Sequence, residues 1–109
     1  MATKQIASNT VNTAINTPET IFTAGINGVV IEAFTAANNS IVNASYKAYI
    51  VEQDGTQQPQ IPFKVVVWGE LDLGIGIANQ VIPAGGSLRV ESSAIDSIYF
   101  TVSAREVSV

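Results

Sequence analysis

Two stretches near the end of the chain alternate apolar and polar side chains one by one, and that period constrains the fold more than any other feature. Within 87–92, Leu88 and Val90 fall on one side while Arg89 and Glu91 fall on the other. Within 98–105, Ile98, Phe100, Val102 and Ala104 oppose Tyr99, Thr101, Ser103 and Arg105. A period of two places successive side chains on opposite faces of an extended strand, so each stretch reads as a strand with one dry and one wet face.

The remainder reads as strand and turn throughout. Further strands are expected at 20–24, 29–37, 41–53, 61–68 and 80–82, bounded by Gly, Pro, Asn and Asp. Asn38-Asn39-Ser40 predicts a hairpin turn between 29–37 and 41–53, Asp54-Gly55 a second turn, and Pro83-Ala84-Gly85-Gly86 a hairpin device before 87–92. The stretch 69–76 is expected to be irregular, with Gly74 and Gly76 bracketing Ile75. Residues 1–16 are polar, with widely spaced Ile6, Val11 and Ile15, and read as an extended N-terminal arm holding a short strand, or as a frayed terminus. At 109 residues the chain suits one domain, placed at 17–109 after the arm. The expected class is all-β: a single antiparallel β-sandwich or jelly-roll-like barrel of about 7–9 short strands.

The same residues leave little for catalysis. The chain has no His and no Cys, which removes the usual proton shuttle, the commonest metal ligand and every thiolate. Only 13% of the residues are charged, against about 25% in an average protein, and Ser, Thr, Asn and Gln fill the gap. A net charge of −4, with Lys4, Lys47, Lys64, Arg89 and Arg105 scattered, argues against a nucleic-acid partner. The first ten residues hold no apolar core of a secretory signal, and no apolar run approaches the ~20 residues of a membrane helix. Glu70 and Asp72 share a face if extended, yet a calcium site needs six to eight oxygens, and a solvated loop explains the pair more simply. Neither catalytic residue, cofactor nor metal is expected.

What the chain does offer is uncharged area. Val29-Val30-Ile31 and Val65-Val66-Val67-Trp68 are apolar on both faces, so their second dry face must be covered by a loop, an arm or another chain. Tyr46 and Tyr49 fall on opposite faces of one strand, and Tyr99 lies on the wet face of the last. The expected interface residues are Ile6, Val11 and Ile15 of the arm, with Val30, Val66, Trp68 and Tyr99. A glycan-recognising module is the alternative, with Tyr99, Glu70 and Asp72 as its first candidates.

Four strings also carry a resemblance: NTPETIFTAG at 16–25, NASYKAYI at 43–50, VIPAGGSLRV at 81–90 and FTVSARE at 100–106. Together they resemble small structural proteins of tailed bacteriophages. The resemblance implies a virion component assembled in the host cytoplasm, either a capsid decoration (cement) protein or a tail- or fibre-associated piece. It implies a homo-oligomer, expected as a trimer, in contact with the major capsid protein or another virion protein. It assigns no binding role to any single residue.

Overall fold

The computed structural model describes residues 4–10 (by their backbone), 17–59, 63–74, 76–94 and 97–106. In chain order the strands are β1 (Lys4–Thr10), β2 (Glu19–Thr23), β3 (Val29–Asn38), β4 (Ala44–Val51), β5 (Phe63–Val66), β6 (Leu71–Asp72), β7 (Val81–Ile82), β8 (Ser87–Ser92) and β9 (Ile98–Glu106). They form two antiparallel sheets: one ordered β1-β9-β3-β6 with β7 also on β3, the other ordered β2-β8-β4-β5. Among the described residues there is no helix.

The alternating stretches behave as their period requires. Leu88, Val90, Ile98, Phe100 and Val102 are fully buried between the sheets, while Arg89, Glu91, Tyr99 and Thr101 face outward. Part of the segment read as an arm is β1, an edge strand paired with β9 from Lys4↔Ala104 to Thr10↔Tyr99. Its register shifts between Gln5 and Ala7, so Ile6 sits at a bulge. Val11 and Ile15 lie outside the described residues.

Two expectations about connectivity are corrected. Strands β3 and β4 do not form a hairpin; they belong to different sheets, and the turn at 38–43 crosses the core. The turn at 83–86 likewise carries the chain from β7 in one sheet to β8 in the other. The physical reason is burial. Each of these strands has one apolar face, and crossing over sets the two faces against each other, where a hairpin would leave both seeking a second layer. The stretch expected to be irregular, 69–76, contributes β6, which joins one end of β3 (Ala36↔Asp72, Ala37↔Leu71), and the short strand expected at 80–82 is β7, which joins the other (Val29↔Ile82, Val30↔Val81). Between them Asn79 N–H donates to Ile31 O at 2.7 Å, and Ile31 N–H to Gln80 O at 2.9 Å.

The centre of the core is an aromatic trio. Phe34 of β3, Tyr46 of β4 and Phe100 of β9 have ring centroids 5.6–5.9 Å apart, the offset and edge-on range in which ring quadrupoles attract. Ile31, Ile50, Ile77, Ile82 and Ile98 pack around it. Gly74 lies beneath Phe34: a Cβ there would sit 2.3 Å from Phe34 Cδ1, and its φ of +59° disfavours any other residue.

Candidate interaction surface

Sequence alternation predicts apolar side chains inside and polar ones outside, and two strands do the reverse. In β5, Phe63 and Val65 face solvent while Lys64 takes the inward register beside buried Val66. In and just after β6, Leu71 (57% exposed) and Leu73 (61%) face solvent while Asp72 turns inward. Each strand lies on a sheet edge. β5 pairs only with β4 in the four-stranded sheet, and β6 only with β3 in the other.

Asp72 is held inward by two donors. Tyr46 Oη–H donates to its Oδ2 at 2.5 Å, and Gly74 N–H donates to the same oxygen at 3.0 Å. This tie spans the core from one sheet to the other. Burial, then the hydrogen bond that the hydroxyl donates to Asp72 and the negative charge of that carboxylate, hold the Tyr46 hydroxyl far above the usual phenol range. With its carboxylate committed in this way, Asp72 fixes its neighbours Leu71 and Leu73 on the outer face.

The corner joining the two edges has its own lock. Glu70 N–H donates to Val67 O at 3.0 Å, and Gly69 has φ +78°. A positive φ at the third position marks a type II turn and displays Trp68 at its second position. Trp68 N–H donates to Asn43 Oδ1 at 3.1 Å, and its indole is 58% exposed. Buried Asn38 ties three segments together here. Its Nδ2 donates to Val42 O (2.8 Å) and Val66 O (2.9 Å), and its Oδ1 accepts from Ser40 N (3.0 Å) and Ser40 Oγ (2.7 Å). Its backbone N–H donates to Glu70 O, and its carbonyl accepts from Gly69 N, both at 2.9 Å. Ile41 and Val42, on the turn that Asn38 anchors, are also exposed. Apolar surface therefore runs from the outer face of β5, round the Trp68 corner, to the outer face of β6.

Beside β5, a hollow of about 250 Å³ is lined by Ser45, Lys47, Phe63, Glu91 and Ser93. Lys47 stands directly across from Glu91 in the register, yet the Glu91 carboxylate accepts from the Tyr49 hydroxyl and the two charges form no ion pair. On the outer face of the other sheet, Tyr99 pairs across to Ala37, which pairs to Leu71.

The sequence-derived interface residues divide accordingly. Trp68 and Tyr99 lie on this edge and the face beside it. Val66 is in the core, one residue out of phase with exposed Val65 and Val67. Val30 is half-buried at the far end of β3, next to Val81 of β7. Ile6 is described only by its backbone in β1. Val65 lies in the stretch whose second dry face the sequence flagged, but Phe63, Leu71 and Leu73 were not singled out, because 69–76 reads as irregular and so gives its leucines no face. Glu70 and Asp72, suspected as a pair, do not act together: Glu70 is exposed in the turn, and Asp72 is committed to Tyr46. Among the described residues no three His, Cys, Asp or Glu side chains are grouped as a metal site would need, and no helix is long and apolar enough to cross a membrane. No protein-family model matches the chain, and neither a curated protein nor a solved structure does.

Proposed function

We propose that this chain is a non-enzymatic structural protein of a virus particle: a capsid decoration protein of a tailed bacteriophage, acting through contacts with its own copies and with the major capsid protein or another virion protein. The observation that carries the reading is the reversed polarity of both edge strands, which puts Phe63, Val65, Leu71 and Leu73 on the outside. Monomeric proteins seldom expose contiguous apolar patches beyond about 300–600 Å². A chain whose work is contact needs such a surface. The uncharged Ala, Thr and Ser rows on the outer faces of β3 and β9 add area that desolvates at low cost.

The strand order supports a finer description. Two four-position layers, β1-β9-β3-(β6, β7) over β2-β8-β4-β5, fit a jelly-roll sandwich in which β6 and β7 are halves of one interrupted strand. Viral capsid and lectin domains share that architecture, although architecture alone carries no function. The glycan-binding alternative is weakened by Asp72, whose carboxylate is turned inward.

The test is compositional. Particles purified from the culture that expresses this chain are expected to contain it at a fixed ratio to their major capsid protein. Its absence from washed particles, or a variable trace amount, would overturn the reading.

A further inference from the structure

Two crossings between the sheets meet at one end of the sandwich. The bend 24–28 carries the chain from β2 to β3, and the turn at 83–86 carries it from β7 to β8. The bend is pinned to that turn at both of its ends. Ala24 N–H donates to Gly86 O at 2.8 Å and Gly85 N–H to Gly25 O at 3.0 Å, while beyond the bend Val29 pairs with Ile82. Gly28 packs so closely here that a Cβ would lie 2.6 Å from Ile82 O, which excludes a larger residue. Packing thereby places glycine directly after half-buried Asn27.

That pair is chemically sensitive. The backbone nitrogen of a glycine has no Cβ beside it and reaches a preceding asparagine amide carbon with the least hindrance. Residues 26–28 make no backbone hydrogen bond among the described residues, and the Asn27 amide has no hydrogen-bond partner there either. Both reacting groups are free to approach. The comparable positions are locked. Gly55 N–H, after Asp54, donates to Glu52 O at 2.9 Å. The Thr56 N–H holds the Asp54 carboxyl below the usual carboxylate range, in the ionised form that resists attack. The Asn38 amide is engaged at the corner, and Ser40 N–H, after Asn39, donates to Asn38 Oδ1. Asn43 Oδ1 accepts from Trp68 N–H, and Gln80 N–H, after Asn79, donates to Ile77 O. Asn9, Asn12 and Asn16 are each followed by threonine, whose branched Cβ crowds the attacking nitrogen.

We infer that Asn27 is a site of self-modification, converting to isoaspartate through a succinimide closed by the Gly28 nitrogen. Gly28 N bonds to Asn27 Cγ, the Cγ–Nδ2 bond breaks, and Nδ2 leaves as ammonia with the proton that Gly28 gives up. Water then opens the ring. Addition at the Asn27 backbone carbonyl carbon leaves the main chain running through the side-chain methylene. No electrons are transferred, and water is the one co-reactant. The product adds a negative charge to a chain already at −4. It also adds one backbone carbon to a bend clamped at both ends, which loosens the junction with 82–86.

Ageing the folded full chain at mildly acid and mildly alkaline pH tests this. Cleavage after glutamate releases 20–32, in which Asn27 is the one side-chain amide. That peptide is expected to gain about one mass unit and to accept methyl groups from an isoaspartyl methyltransferase. The gain should be about tenfold faster than at Asn38, Asn43 or Asn79, where hydrogen bonds hold the reacting groups. It should also quicken at the higher pH, where the attacking nitrogen loses its proton more readily. Asn27→Gln is expected to abolish it, since the longer side chain must close a larger ring. Hydrogen exchange at 81–86 should quicken in aged wild type but not in fresh Asn27→Asp, which carries the charge without the extra carbon. A peptide that gains mass in urea but not in the folded chain would overturn the inference. So would a gain no faster than at Asn79, or one without isoaspartate. Unchanged exchange at 81–86 in the aged protein would overturn the loosening of the junction.

Discussion

Strands β8 and β9 and strands β5 and β6 use the same alternating pattern with opposite sign. In the first pair, leucine, valine and phenylalanine point into the core, and arginine, glutamate and threonine meet solvent. In the second, phenylalanine, valine and leucine meet solvent, and a lysine and an aspartate take the inward register. Position explains the difference. β8 and β9 are central strands with a neighbour on each side and a sheet beneath, whereas β5 and β6 are edges. At the edge the inward side chain reaches the rim, where Lys64 stays hydrated and Asp72 finds Tyr46. The outward apolar side chains then gain nothing from the monomer. The centre of the molecule is built for its own stability, and this edge presents the apolar surface on which the proposed function rests.

Substitutions in the two regions should therefore differ sharply in cost. Phe34→Ala removes one member of the aromatic trio and leaves a cavity over Gly74, and it should cost about 3–5 kcal/mol by denaturant unfolding. That is a large share of the ~5–15 kcal/mol available to such a domain. Next comes Asn38→Ala, which strips partners from the buried carbonyl of Val66 and from that of Val42, and frees Ser40. A loss of about 2–3 kcal/mol is expected, with a matching fall in hydrogen-exchange protection at 66–70. A cost below about 0.5 kcal/mol would mean that the corner is not held as described.

Tyr46 gives an intermediate, pH-dependent effect. Its folded pKa lies above the ordinary value of 10.0. The unfolded chain therefore releases the phenolic proton first, and stability that is complete below pH 10 falls as the pH rises further. The slope attributable to this one group is about 1.4 kcal/mol per pH unit. In Tyr46→Phe that share of the alkaline loss should vanish, while the hydrogen bond to Asp72 is lost at every pH. Unchanged alkaline melting in the variant would refute a buried phenol at this position.

The smallest effect is expected at the edge. Leu71→Ser or Trp68→Ser should change monomer stability by no more than about 0.5 kcal/mol, as exposed substitutions generally do, while lowering the apparent size of any assembly. An edge leucine that costs as much as a core residue would break the comparison, since it would mean that the chain covers this surface itself.

The strands and most of the turns were legible in the residues. Period-two alternation marked β8 and β9, and Asp54-Gly55 turns as expected, with Thr56 N–H donating to Asp54 Oδ1 at 2.9 Å. Asn38 was legible as a turn residue through its short-range bond to Ser40. Its bond to Val66, 28 positions away, was not. Strand β6 was invisible because two residues between glycines carry no period, and its pairing is supplied by β3.

Alternation and turn chemistry depend on neighbours two or three residues apart, so the amino-acid order alone decided that this chain is made of strands and where most of them begin and end. It also decided, by omitting His and Cys, which chemistry is missing. Which sheet each strand joins, and which way an edge strand faces, depend on contacts between distant segments: the Tyr46–Asp72 tie across the core and the Asn38 anchor at the corner. Those contacts turn Leu71 and Leu73 outward, because drawing one hydrogen-bonded carboxylate inward fixes the orientation of the residues on either side.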